Sequence, residues 1–155
     1  TPPLVCQGKL CRGIPGERVR LFEKKTRVLI VGDDGAVLKK LRARVELFWP
    51  ADIPVKTVAV FCGWADEAID SIEDYRPDVL LLNHAFRRDE KTGRDVARWI
   101  DEHYRAPIHV AVHGDLAEAE LRQFFEGVRC VRHFISGEGV REFIRDCTRR
   151  ENAEG

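Results

Sequence analysis

Arg27-Val28-Leu29-Ile30-Val31-Gly32-Asp33-Asp34 begins with an apolar run and closes on a glycine and two acids. Four consecutive apolar residues fit a strand buried on both faces, since a strand with one wet face would alternate. Just beyond, Val37, Leu38, Leu41, Val45 and Phe48 recur at helical spacing. The stretch therefore predicts a strand, a short polar turn and an amphipathic helix.

The same unit recurs four more times. Val55 to Phe61 predicts the second strand, followed by a helix over Ala65 to Tyr75 with Ala68, Ile69 and Ile72 inward. Asp78 to Leu82, introduced by Pro77, predicts the third, and its helix carries Val96, Trp99 and Ile100. Ile108 to Val112 predicts the fourth, with Leu121, Phe124, Phe125 and Val128 on the helix after it. Val131 to Ile135 predicts the fifth, and the last helix repeats Val140, Phe143, Ile144 and Cys147. Five such units imply an α/β domain with a five-stranded parallel sheet and helices on both faces, because right-handed crossovers put them there. Residues 1–26 stand apart as an arm or linker: Pro2-Pro3, Gly8, Gly13 and Pro15-Gly16 break any long period, leaving room for one short strand at Arg18 to Phe22. The domain then covers 27–150, with 151–155 as a tail.

The composition suits one soluble globular domain: 155 residues, 44% hydrophobic and 34% charged. Lys+Arg and Asp+Glu each total 26, so nothing global draws the chain to nucleic acid or to an anionic membrane. No apolar run approaches the roughly 20 residues of a membrane span, and no signal pattern opens the chain, so the expected location is cytoplasmic. Methionine is absent and residue 1 is Thr, which raises the expectation of a piece of a longer parent protein. Five scattered cysteines read as free thiols. Cys6 and Cys11 would make only half of a zinc site, because no second close pair follows.

Ligands of parallel sheets bind at the carboxyl ends of the strands. Those ends carry Gly32-Asp33-Asp34, Asn83-His84-Ala85-Phe86, Val112-His113-Gly114-Asp115 and Ile135-Ser136-Gly137. Together with the order of elements, the lead Arg76-Pro77-Asp78-Val79-Leu80 and the placement of Gly93, these residues make the chain resemble the receiver domains of bacterial two-component response regulators, a (βα)5 flavodoxin-like fold. That resemblance implies two acids holding magnesium after the first strand and an aspartate nucleophile ending the third. It also implies a hydroxyl residue ending the fourth strand and a lysine ending the fifth.

Only one of those five positions keeps its residue. Gly32 stands for the first acid, Asp33 keeps the second, Asn83 replaces the nucleophile, Val112 the hydroxyl and Ser136 the lysine. A carboxamide forms no acyl phosphate, and losing carboxylates leaves at most weak magnesium binding and no required cofactor. The expectation is a pseudo-receiver, not an enzyme, that signals through a protein partner or a homodimer without phosphorylation. The last helix, a face that receivers use for dimerisation, would carry the contact.

The pieces Asn83-His84, Thr92-Gly93-Arg94-Asp95-Val96-Ala97-Arg98-Trp99 and His109-Val110-Ala111-Val112-His113 also look like a receiver offshoot that processes cyclic phosphates. This second resemblance implies a phosphate-ester or nucleotide site at His84 and His113, since imidazole titrates near neutrality. The blander readings are that Asp33 and Asp34 cap the first helix and that the two histidines face solvent in loops. Phe86 either folds back onto the core or marks a partner contact, and Arg87 to Lys91 read as a solvated loop. Trp99 sits on an apolar stripe, in the core or at a helix interface. Cys130, flanked by Arg129 and Arg132, is a third candidate, a thiol switch, set against the reading of a buried inert thiol.

Overall fold

The computed structural model describes residues 24–135 and 139–154. Arg18 to Phe22, Cys6, Cys11 and Ser136 lie outside the described residues. Among the described residues, five strands alternate with five helices: β1 Thr26–Gly32, α1 Gly35–Phe48, β2 Val55–Phe61, α2 Ala65–Tyr75, β3 Val79–Asn83, α3 Gly93–His103, β4 His109–His113, α4 Glu118–Phe124, β5 Val131–Ile135 and α5 Gly139–Glu154. All the ladders are parallel, and the sheet order is β2-β1-β3-β4-β5.

Because successive side chains of a strand point to opposite faces, each strand feeds two cores. Leu29, Val31, Leu80 and Leu82 face one layer, where Ile72 of α2, Val96 and Ile100 of α3 and Leu121 of α4 close over them. Val28, Ile30, Val79 and Leu81 face the other, under Leu38, Leu41 and Val45 of α1 and Phe143 and Ile144 of α5. The three inner strands are thus dry on both sides, which accounts for their lack of polar alternation.

Two strands end later than their apolar pattern suggests. β3 runs on to Asn83 and β4 to His113, so the ladder includes a polar residue at each carboxyl end. At the other end of β3, the Asp78 carboxylate accepts a hydrogen bond from the Arg27 amide at 2.9 Å and stays outside the strand. α4 is short, stopping at Phe124, while Val128 beyond it remains buried. Trp99 is half-buried and stacks on His103 with centroids 5.5 Å apart.

Candidate functional site

At the carboxyl ends of β1 and β3 the polar side chains bind one another. Asn83 Nδ2 donates to Asp33 Oδ1 at 3.1 Å and also to the Ala85 carbonyl. The other Asp33 oxygen accepts the Arg87 backbone N–H at 2.6 Å. Asp34 caps α1, accepting from the amides of Ala36 and Val37 at 3.0 and 3.3 Å, and its second oxygen takes the Arg87 guanidinium at 3.2 Å. The capping reading therefore holds for Asp34, whereas Asp33 turns the other way and holds the loop after β3.

Arg87, Arg88, Glu90 and Lys91 are exposed, as a solvated loop requires, yet the loop is also fastened. Ala85 and Thr92 form a β-bridge, Phe86 is 2% exposed within the core beside α3, and Asp89 accepts the Ala65 amide at 2.8 Å. This bond and a second one from the Lys91 amide hold the Asp89 carboxyl below its ordinary value. Lys91 in turn pairs with Asp66 at 3.3 Å. Phe86 thus folds back onto the core. Gly93 is required here, since a Cβ would lie 2.1 Å from the Asn83 carbonyl oxygen.

The parallel register pairs Asn83 with His113, while Val112 pairs with Leu82 and is fully buried. Val112 is therefore not the residue beside Asn83; β4 runs one residue further, and His113 takes that place. Nor does His113 face solvent. It is 5% exposed, its Nε2 lies 3.3 Å from the Val31 carbonyl, and burial pulls its pKa down from 6.5 to about 4. At neutral pH it is uncharged, its ring reaching from the end of β4 to the end of β1. Gly32 is buried on the same level, where a Cβ would meet Asn83 and His113 at ordinary contact distances.

His84 is half-buried, packed edge-on against Phe124 with its Nδ1 enclosed and without a hydrogen-bond partner. Gly114 makes room for it: a Cβ at 114 would lie 1.8 Å from that nitrogen. The two histidines sit near each other, as the sequence suggested, largely packed, and both line the cavity above Asn83.

Magnesium would need several oxygen ligands in near-octahedral array. Asp33 has N–H donors on both carboxylate oxygens, Asp34 is spent on the helix cap and Arg87, and Asn83 turns its donor towards Asp33. Among the described residues no three His, Cys, Asp or Glu side chains gather as metal ligands. This donor set does not fit the cation that the fold would lead one to expect.

Above Asn83 a cavity of about 370 Å³ opens between α1 and the loops after β3 and β4. Arg87, Lys40 and Arg44 reach its wall, and none of these three had stood out in the sequence. The signal for Lys40 and Arg44 was present in their spacing of four on one helix. Cys130 is a separate feature, its thiol donating to the Ala97 carbonyl at 3.4 Å. Burial and the neighbouring Asp101 push that thiol up to about 12, away from the thiolate that a redox switch needs.

The strand order and the placement of this site beside the β1–β3 switch point define a doubly wound α/β domain of the flavodoxin-like type. More particularly, the chain has the fold of a response-regulator receiver domain. The signal receiver domain of a Luxo repressor protein from Vibrio parahaemolyticus superposes with a TM-score of 0.58 at 20% identity, over 85% of this chain and 99% of that one. The receiver domain of a Francisella response regulator gives 0.63 at 14%, over 84% and 100%. The BeF3-activated N-terminal receiver domain of Klebsiella pneumoniae RstA gives 0.58 at 15%, over 79% and 97%. No protein-family model matches the sequence, and no curated protein matches it. No helix among the described residues is long and apolar enough to cross a membrane.

Proposed function

We propose that this domain is a pseudo-receiver, a signalling or regulatory module that works by protein–protein contact or dimerisation without being phosphorylated and without magnesium. The observation that supports this reading is the Asn83 side chain at the end of β3, an amide donating to Asp33 where the resemblance to receivers implies a nucleophilic aspartate. An amide nitrogen whose hydrogens serve Asp33 and Ala85 has no electron pair to offer phosphorus. The hydrogen bonds among Asn83, Asp33 and Arg87 hold the loop after β3 in one arrangement, so the domain presents a constant surface. Its partner is a second copy or another protein, met through α5 and its neighbours, and the setting is a longer cytoplasmic parent protein.

Intact-mass measurement after incubation with acetyl phosphate and magnesium tests this directly. The expected spectrum has no phosphoryl adduct, and the oligomeric state by light scattering is the same with and without the phosphodonor. A stoichiometric adduct lost on Asn83→Ala substitution would overturn the proposal.

A further inference from the structure

Among the described residues β2 is an edge strand of the sheet, and α1 and α2 flank it on opposite faces. Alternation sends Val55 and Ala59 to the α1 side and Val58 and Val60 to the α2 side. Phe61 continues the first series and Trp64 opens α2, so two aromatics bracket the carboxyl end of this edge. They are 62% and 47% exposed. Single apolar residues on a surface are ordinary, but two large rings close together at an open strand edge are the kind of anchor that interfaces use. Lys56, exposed near the amino end, lies over its own Tyr75 ring, which leaves the carboxyl end as the apolar part of the edge.

The two flanking helices carry opposite charge. α1 holds Lys39, Lys40, Arg42 and Arg44 against the single acid Glu46, whereas α2 holds Asp66, Glu67, Asp70, Glu73 and Asp74 and no base. Lys40 lines the cavity over β1 and β3, which places Lys39 and Arg42 on the other flank of α1, towards β2. On α2, Asp66 turns away to Lys91, while the Tyr75 hydroxyl donates to the Lys56 carbonyl at 3.0 Å and ties the opposite flank to β2. Glu67, Asp70 and Asp74 follow one another at i, i+3 and i+7, a stripe between that flank and solvent. Lys39, Asp70 and Asp74 are exposed and have no ion-pair partner among the described residues. Arg42 has only the exposed Glu46 at 3.5 Å, a pair that contributes little and can exchange.

We propose that this edge is a homodimer interface, in which two copies of the chain meet about a two-fold axis parallel to β2. Such an axis keeps both carboxyl ends together and exchanges the faces of the sheet. Phe61 of each copy then meets Trp64 of the other, and each cationic α1 faces an acidic α2. Both helices start at the carboxyl ends of strands, and Lys39 and Arg42 lie as deep into α1 as Asp70 and Asp74 lie into α2, to within two residues. An axis perpendicular to the sheet would instead part the aromatics and set α1 against α1 and α2 against α2, like charge against like. Ring position and helix charge therefore select the same symmetry. Four half-exposed rings supply roughly 400 Å², short of the roughly 1,200 Å² of a stable interface. The helices contribute the rest, and the dimer is a weak, salt-sensitive one. The surface is separate from α5 and from any phosphoryl chemistry, so it does not depend on the pseudo-receiver reading.

Sedimentation velocity of the whole chain from micromolar to millimolar concentration tests it. The chain should pass from monomer to dimer, and salt at about 1 M, which cuts the Debye length to about 3 Å, should weaken the dimer about tenfold. Phe61→Thr combined with Trp64→Ser should abolish it. Thr suits a strand and Ser a helix N-cap, and an unchanged circular dichroism spectrum checks that the fold is kept. Lys39→Glu with Arg42→Glu should raise the dimer Kd about tenfold or more, as should Asp70→Lys with Asp74→Lys, and the chain carrying all four changes should regain the parent's affinity. That rescue separates α1 facing α2 from a helix facing its own copy. The proposal is overturned if the chain stays monomeric throughout, as it would with residues 1–23 covering the aromatics. It is equally overturned by a dimer indifferent to Phe61 and Trp64, as one made through α5 would be, or by a fourfold variant that does not associate. A phosphoryl adduct on the parent chain would refute the pseudo-receiver reading and leave this interface standing.

Discussion

Asn83→Asp introduces, by a change of one atom, the residue type that the resemblance to receivers implies at the end of β3, and the structure predicts harm instead of repair. The substitution replaces the donor that sits 3.1 Å from Asp33 Oδ1 with a second carboxylate oxygen. At an effective dielectric of about 20, two unit charges at that distance repel by about 5 kcal/mol. Protonating one of the pair is the cheaper escape: at pH 7 it costs about 4 kcal/mol, three units above an ordinary aspartate. Once protonated, the introduced carboxyl can still donate one hydrogen bond, but the other is lost, and solvent in the adjoining cavity screens part of the repulsion. The net loss should be about 2–4 kcal/mol, equivalent to a melting point lower by about 5–15 °C for a domain of this size. Because protonation costs only about 1.5 kcal/mol at pH 5, the gap between variant and parent should narrow as the pH falls. Urea unfolding of both proteins at pH 7 and pH 5 measures this. Equal stability at pH 7, or a gap that widens at pH 5, would refute the reasoning.

Three further outcomes follow from the packing. His113 has a folded pKa lowered to about 4 from 6.5, so its contribution is complete above pH 6.5 and is lost as pH falls through the window down to 4. Up to about 3 kcal/mol should disappear across that window, and His113→Leu should flatten that part of the pH–stability curve measured by urea unfolding. Gly114→Ala should destabilise by about 1–3 kcal/mol because its Cβ must push the His84 ring aside; the same change in a His84→Ala background should cost little, as a double-mutant cycle would read out. Cys130 should react with iodoacetamide at pH 8 far more slowly than an exposed thiol, and Cys130→Ser should leave the oligomeric state under oxidant unchanged, as judged by light scattering.

The fold was legible because dry strands and half-dry helices leave different periods in a sequence. Val28 to Val31 and Val79 to Leu82 are apolar without alternation because a core lies on each side of them. Strand ends were less legible for the same reason. Asn83 and His113 are polar, so an apolar pattern stops before them, yet backbone hydrogen bonding does not depend on the side chain and continues through both. That one-residue difference puts His113, in place of Val112, at the end of β4.

The site was legible in its residue types and much less so in its contacts. Asp33, Asn83 and His113 could be singled out as strand-end residues, but Arg87 lies 54 positions from Asp33 and meets it only through the loop after β3. Nothing in Arg87-Arg88-Asp89-Glu90-Lys91 announces that the first arginine anchors to the residues just after the neighbouring strand β1 while Asp89 holds the start of α2. Phe86 was ambiguous as an aromatic in a polar stretch, and only its neighbours decide that it is core.

Titration of the parent protein with beryllofluoride and magnesium, followed by two-dimensional NMR, probes the central claim most directly, because this phosphoryl mimic needs both an aspartate oxygen and a metal. With Asn83 donating to Asp33, and Asp33 saturated by N–H groups, the amides of Asp33, Asn83, Arg87 and Gly114 should not move at any ratio. Saturable shifts at those four residues that require both reagents together would contradict the account.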